Sequence, residues 1–453
     1  KLTNEVLATR IRLVGETAWQ VTDAKLQLAH ISRIETLTLE QRERINEAAQ
    51  LNAQVKSLGD DWKYVEALPL ARRTLEIRLE LLSEDDPDTM MSLKNLGWIL
   101  RELSKYDESE ILLRRALASR RRIQGEAHPD VAYTLNVIGW LYYNRSDFEQ
   151  AEKHFRQAYA LYEQFGSEKA PDFAMTTNNL AQTAEVRGQY DQAEAFYLEA
   201  LNVRKKAQGE EHRDYADSLD RLASLYLDKG DFNLAEPLLK HSLTIRTRLL
   251  GEKNGQFVVS LNNLADLYQA QGDYQQSEQY MLRAIKISEE LYGAKSINLG
   301  FLISNLGVVY RKQHRLPESE ALARQALQIR KEQFGEKNIN YAATLGNLGQ
   351  VLGMQKKFAE AEQVLLRRLE IERQLRGEIH DAIGDACRHL AELYCSQGSF
   401  AAADKFARQA LDIYRKIYGE QSHWYAAAQL QLADISFAEG KRKSAAELYL
   451  NAL

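Results

Sequence analysis

Apolar, small and aromatic positions return along this chain at one fixed interval of 42 residues. From Tyr106, steps of 42 land on Phe148, Tyr190, Phe232, Tyr274, Leu316, Phe358 and Phe400; one step back lands on Tyr64, and the next step forward reaches Arg442, where the aromatic is lost, so ten units stand in register. A second column is always small: Gly97, Gly139, Ala181, Ala223, Ala265, Gly307, Gly349, Ala391 and Ala433. So is a third, from Ser109 and Ala151 to Ala403 and Ala445. A fourth is Ala or Ser from Ala116 to Ala452 except at Arg368, and a fifth is large and apolar, from Leu96 to Leu432. Two helices can approach closely only where side chains are small, and large apolar side chains fill the space between them. A fixed period of this length is the signature of stacked repeats rather than of one large core.

The spacing inside one unit predicts a helical hairpin. Leu261, Leu264, Ala265 and Tyr268 share one face of a first helix, Gly272-Asp273 marks a turn, and Ser277, Met281 and Ala284 share a face of a second helix that ends at Gly293. Gly125, Gly209, Gly251, Gly335, Gly377 and Gly419 repeat that ending, with Gly166 one residue off register. Pro87, Pro129 and Pro171 open first helices, where a missing N–H costs least. Pro69 and Pro237 lie near the start of second helices, where they are also tolerated. Residues 1–40 leave the pattern but keep a helical stripe, Val6, Leu7, Ile11, Val14 and Ala18, and read as a capping helix or a decayed repeat before an array spanning 41–453. At the other end the apolar face runs intact to Leu453 with no polar cap, which predicts that the array continues or that another domain follows. The chain opens on Lys1 rather than Met, so a preceding targeting segment stays open.

Composition narrows the function classes. With 59 Lys and Arg against 64 Asp and Glu, the net charge of -5 argues against a general nucleic-acid binder. Two cysteines, Cys387 and Cys395, cannot build a disulfide framework and point to a reducing, cytoplasmic setting. No apolar run reaches the roughly 18 residues of a membrane helix.

Small–aromatic–Ala columns in a helix–turn–helix resemble the tetratricopeptide repeat (TPR). The period resembles the kinesin-light-chain type, whose hallmark stretches stand here as Ser260-Leu261-Asn262-Asn263-Leu264-Ala265 and as Leu117 to Asp130, ending Gly125-Glu126-Ala127-His128-Pro129-Asp130. The resemblance covers roughly residues 45–453 and implies an all-α, right-handed superhelical solenoid of about ten repeats whose first helices line the concave side. No heptad coiled coil is present, so kinesin cargo binding is not implied. Long arrays of this kind are also similar to the sensor half of bacterial proteins that carry a caspase-like protease or an NTPase domain.

On the face of the first helices turned away from the buried stripe stands a ladder of amides: Asn95, Asn179, Asn263, Asn305 and Asn347, with Asn136, Asn178 and Asn262 one position earlier in the unit and Val137, Arg221, His389 and Gln431 interrupting. An amide offers donor and acceptor together and can bind a peptide backbone without reading its sequence; in the resembling family asparagines of this motif line the peptide groove. The same residues could instead bond their own loops or the neighbouring repeat. Trp98 and Trp140 share a column one turn further on, with Tyr143, Tyr133, Met91 and Met175 expected nearby. They read either as anchors for a partner around residues 90–190 or as packing between repeats or against residues 1–40. Charge along this face shifts from Asp217, Asp220 and Asp266 to Arg311, Lys312 and Arg388, which could orient a bound segment or be scattered solvated charge.

Other clusters carry less. The basic run Arg114, Arg115, Arg120, Arg121 and Arg122 lacks interleaved aromatics and reads as a solvated face. His380, Asp385, Cys387, His389 and Cys395 share one unit, but Cys387 falls in the buried column, so these read as structural residues rather than a metal site. Phosphate-loop, dinucleotide and nucleophile-elbow patterns are missing. The sequence therefore predicts a scaffold with no catalytic residues, metal or cofactor, which takes a protein or peptide partner rather than a membrane, a nucleic acid or a small molecule; the alternative is a sensor arm controlling a C-terminal effector enzyme.

Overall fold

The computed structural model describes residues 2–15, 18–60, 63–166 and 170–452. Among them lie twenty-two α-helices and no strand. Helices α1 (Leu2–Val14) and α2 (Trp19–Thr36) come first, followed by ten hairpins of a first and a second helix. These are α3 (Leu39–Asp60) and α4 (Tyr64–Leu81), α5 (Pro87–Glu102) and α6 (Tyr106–Gln124), α7 (Pro129–Asn144) and α8 (Phe148–Phe165), α9 (Ala170–Val186) and α10 (Tyr190–Gln208), and α11 (Arg213–Lys229) and α12 (Phe232–Leu250). Then come α13 (Gly255–Ala270) and α14 (Tyr274–Tyr292), α15 (Ile297–Lys312) and α16 (Leu316–Phe334), α17 (Ile339–Met354) and α18 (Phe358–Arg376), α19 (Asp381–Ser396) and α20 (Phe400–Tyr418), and α21 (His423–Ala438) and α22 (Arg442–Asn451). The chain divides into two units, Lys1–Leu180 and Ala181–Leu453.

The small columns are where the two helices of a hairpin touch. A Cβ on Gly139 would lie 2.4 Å from the Phe155 ring, one on Gly97 2.7 Å from Leu113, and one on Gly349 2.5 Å from Leu365. The other small column closes the same contact from the second helix: Ser109 and Ser319 donate to the carbonyls of Gly97 and Gly307 at 2.6 and 2.7 Å.

Successive hairpins are tied by a buried arginine. In unit 1, Arg78 Nη1 donates to the Asp88 carbonyl (2.8 Å) and the Ser92 hydroxyl (2.7 Å), and Arg120 does the same to Asp130 and Thr134, both at 2.7 Å. In unit 2, Arg204 reaches Asp214 and Ser218, Arg330 reaches Asn340 and Thr344, and Arg246 reaches Ser260 with Asp217 and Asp220 each 2.6 Å away. The guanidinium thus satisfies backbone and hydroxyl groups of the next first helix that packing takes from water. This column holds Tyr162, Ser288, Glu372 and Tyr414 elsewhere, and the receiving hydroxyl is then lost at Leu302, Ala386 and Ala428. A second tie runs from a first-helix tyrosine to the glutamate of the preceding second helix, as in Tyr142–Glu110 (2.6 Å), Tyr310–Glu278 (3.0 Å) and Tyr394–Glu362 (2.6 Å).

Helix ends follow the same repeat. The residue before each described first helix from α5 on, α9 excepted, caps it with its own side chain: Asp86, His128, His212, Asn254, Ser296, Asn338, His380 and Ser422. The turn inside each hairpin from α5–α6 on puts one residue at positive φ; it is glycine at Gly188, Gly230, Gly272, Gly398 and Gly440, but Ser104, Ser146, His314 and Lys356 elsewhere. Pro69 and Pro237 stand just past the first turn, inside α4 and α12, where each removes one backbone bond of a helix that runs on unbroken.

The described residues between 2 and 40 hold α1, α2 and the start of α3. Val6 lies outside the residues whose side chains are described, and Val14 is exposed. α2 lies across the caps of the next first helices: His30 Nδ1 meets the Asp86 carboxylate at 2.9 Å, and His128 faces Asp23 at 3.2 Å with Trp19 edge-on to its ring. In unit 2, His423 at the start of α21 comes back against Gly188, where a Cβ would lie 3.6 Å from the imidazole Nδ1, and against the Tyr190 ring, 6.0 Å between centroids.

Two outcomes follow. Arg246→Leu strands Asp220, whose carboxyl burial already lifts above the usual range, without its countercharge; a loss of about 3–5 kcal/mol should show as faster amide exchange across α11–α13. Lys356→Gly relieves the positive φ of 61° and should raise the local stability of α17–α18 by about 1 kcal/mol, read in the same exchange measurement.

Candidate functional site

The first helices of unit 1 turn one side away from the small-column contact, and four of them, α3, α5, α7 and α9, line a cavity of about 540 Å³. Trp98, Trp140, Tyr133, Met91, Met175 and Val137 form its apolar wall; Asn52, Asn95, Asn136 and Asn179 add amides; Lys56, Lys94 and Arg101 add positive charge. No carboxylate of the described residues lines it.

The two tryptophans are held rather than loose. Trp98 lies edge-on to Tyr64 (5.8 Å), over Gly59, where a Cβ would sit 2.4 Å from its ring, and its Nε1 donates to Glu102 at 3.1 Å. Trp140 packs edge-on to Tyr143 (5.0 Å) and Phe155 (5.9 Å). Both rings therefore pack between elements and also present an edge to the cavity. None of the described residues of α1 or α2 lines it.

Of the residues picked from the sequence, Asn95, Trp98, Asn136, Trp140 and Asn179 come together here. Tyr143 stands behind Trp140, against Phe148. Asn178 is buried away from the lining, with both ends of its amide unbonded. Asn263, Asn305 and Asn347 belong to unit 2.

Many of the amides are already engaged with the neighbouring repeat. Asn95 donates to Asn52 (2.9 Å), Asn136 to Thr176 (2.7 Å), Asn305 to Asn262 (2.9 Å) and Asn347 to Ser304 (3.1 Å). Thr176 is open to Asn136 because Tyr162 stands where the tying arginine would claim it. Asn179, in the amide orientation that satisfies both its ends, accepts from Trp140 Nε1 at 3.3 Å and donates to the Met175 carbonyl at 3.2 Å.

Sequence reasoning passed over Lys94, although it shares the column of Asn136 and Asn178. Its ammonium lies over the Tyr133 ring, 5.0 Å from the centroid, and has no ion-pair partner among the described residues. Burial, reinforced by the nearby charges of Arg120 and Lys56 and opposed by Asp130, brings it down to about 8. Arg101 differs, being neutralised by Glu102.

Two clusters invite a metal reading and fail it chemically. His380 caps α19, Asp385 accepts from Tyr414 (2.7 Å), and His389 accepts at Nδ1 from Arg368 (2.7 Å), so the group singled out around Cys387 points in separate directions. Asp23, His128 and Asp130 lie close together. His128 Nδ1, however, accepts from the Asp130 N–H at 3.1 Å. Its Nε2 then carries the ring proton toward Asp23 and has no lone pair for a cation.

The tetratricopeptide-repeat family model matches residues 62–122, 99–164, 172–248, 256–332, 299–374 and 385–453. The chain belongs to the tetratricopeptide repeat family. Among solved structures, the Rap protein complexed with competence and sporulation factor is 17% identical, with a TM-score of 0.54 over 82% of this chain and 99% of that one, which shows a shared fold. Nearly identical TPR-like repeats from Podosopora anserina, named for kinesin light chain, are 22% identical with a TM-score of 0.38 over 46% of this chain and 98% of that one. BtubC from P. vanneervenii is 20% identical with a TM-score of 0.42, covering 51% and 92%. No curated protein matches the chain. TPR folds are protein-interaction scaffolds and typically non-catalytic. Among the described residues no TPR helix is long and apolar enough to cross a membrane.

Lys94 sets a pH signature. Its ionisation is displaced downward in the folded chain, so at neutral pH its buried charge costs stability, and that cost fades as pH rises from about 8 toward the ordinary lysine range. Lys94→Met should therefore stabilise unit 1 at pH 7, on the order of 1–3 kcal/mol, with the gain shrinking above pH 9 or so in pH-dependent melting.

Proposed function

We propose that this TPR array is a non-catalytic scaffold that holds a segment of another protein along its first-helix groove, with an apolar side chain of that segment seated in the cavity between Trp98 and Trp140. The observation that supports this most is the cavity itself. It has aromatic and methionine walls, one desolvated ammonium at Lys94 with no ion-pair partner among the described residues, and a volume of about 540 Å³, room for one large side chain and its neighbours. Its charge favours a segment that places a carboxylate near its apolar anchor. Of the amide ladder, Asn95, Asn136 and Asn179 border the anchor; Asn178, Asn263, Asn305 and Asn347 remain candidates for lesser contacts.

A second reading, a sensor arm that passes the presence of a bound segment to an effector enzyme, uses the same cavity. A solved signal-transduction ATPase with a TPR sensor, from Pyrococcus horikoshii, is 14% identical over 84% of this chain and 54% of that one, with a TM-score of 0.46.

The test is double substitution. Trp98→Ala with Trp140→Ala should lower affinity for a captured partner at least about a hundredfold, as expected for central aromatic anchors, in titration calorimetry with an unchanged helical circular dichroism spectrum. Full binding by the folded double variant would remove the cavity from the reading.

A further inference from the structure

The charge along the first helices of unit 2 is not what its sequence suggests. Asp217 and Asp220 are both consumed by Arg246, each at 2.6 Å. Asp266 is lifted to about 7 by burial, and the Asn262 amide that donates to it at 2.9 Å offsets only part of this. The acidic end of the gradient is thus largely silenced.

The basic end is not. Arg311 on α15 is half-buried and has no hydrogen bond or ion pair among the described residues; its nearest countercharge is the exposed Glu392. Arg388 on α19 has a loose 3.7 Å contact with Asp385, which already accepts from Tyr414, and a side-chain hydrogen bond with the Tyr414 hydroxyl; neither gives it a full countercharge. Arg368 departs from the alanine column of the second helices, and its guanidinium passes over Gly346, where a Cβ would lie 2.8 Å from Nη1, to donate to His389. The step of 39 residues that sets Gln350 against His389 also relates Arg311 to Gln350, so the three stand in one row across α15, α17 and α19. His389 is kept neutral by its burial and by the charges of Arg368, Arg388 and Arg311. With Nδ1 accepting from Arg368, its proton sits on Nε2, and the Gln350 amide beside it accepts through its oxygen.

We propose that the first-helix face of unit 2 binds a doubly charged oxyanion of the phosphate type, held by Arg311 and Arg388 beside His389. Two guanidiniums without a full countercharge match a dianion; a single carboxylate would leave one of them unpaired. The bound dianion offsets the arginine charges that now keep His389 neutral, so binding takes up a proton at its Nδ1, with Arg368 turning to the anion. Glu392 and Asp385 are the acids facing this group from α19, and Asp434 lies against the adjacent Cys395 from α21.

Titration calorimetry of the whole chain tests this, using inorganic phosphate, sulfate and acetate at matched ionic strength. Saturable binding of phosphate and sulfate, with acetate much weaker, is expected. Arg311→Gln should weaken both dianions about tenfold or more at an unchanged melting temperature, and Arg311→Lys should lose less. Sulfate does not titrate in this range, so its affinity should rise as pH falls from about 8 to about 6 in the wild type and stay flat in His389→Gln. Absence of saturation, acetate equal to sulfate, or a folded Arg311→Gln that binds as the wild type does overturns the site. A flat sulfate profile in the wild type overturns the part given to His389.

Discussion

Every larger feature of this chain depends on how closely two helices of a hairpin can approach. At Gly97, Gly139 and Gly349 the second helix presses a Leu or Phe into the space a Cβ would occupy. That contact is the repeat's core, and it leaves one side of each first helix out of the hairpin. A single unit cannot bury its remaining apolar surface, so units must stack. Stacking then takes polar groups of the next first helix from water, and the chain answers with a guanidinium from Arg78, Arg120, Arg204, Arg246 or Arg330. The solenoid, its spacing and the exposed row of first helices follow from this order of constraints.

The tying arginine also makes interfaces unequal. Where it is present, a buried cation and a hydroxyl are linked, together with a backbone carbonyl or, at Arg246, two carboxylates, and loss of one member leaves the others unsatisfied. Where Ser288 replaces it, its own hydroxyl is buried without a partner and faces a unit that offers Leu302 in place of a hydroxyl. Repeat arrays open at their weaker interfaces first, and the substitutions at 288, 372 and 414 place those inside unit 2, while unit 1 departs only at Tyr162.

The hairpins, their small columns and their glycine ends were legible in the sequence because each is a packing requirement repeated at a fixed step. So was the neighbourhood of Trp98 and Trp140, since residues in one column of adjacent repeats must adjoin. The caps at Asp86, His128, Asn254 and Ser422 stood in one column too, but chemically different side chains hid their common role. What was not legible was which polar groups are spent on structure. Asn95 and Asn305 look like groove amides, yet each donates to the previous repeat; Asp217 and Asp220 look like a surface field, yet both serve Arg246. Lys94 escaped notice because its importance lies in lacking a partner, and a missing contact leaves no pattern along a chain.

That accounting bears on where binding energy can come from. An amide that already donates to its neighbour must give up that bond before serving a ligand, so its net contribution is small and exchange of one bond for another is nearly neutral. A row of such amides can position a backbone but cannot supply much affinity. The surplus lies in groups whose requirements the folded chain leaves unmet: the apolar edges of Trp98, Trp140 and Met175, which gain by leaving water, and Lys94, whose buried charge a carboxylate would relieve. In unit 2 the unmet requirement is positive charge at Arg311. On the two proposals, each unit's first-helix face would select by what it lacks: an apolar side chain flanked by negative charge in one, an oxyanion in the other.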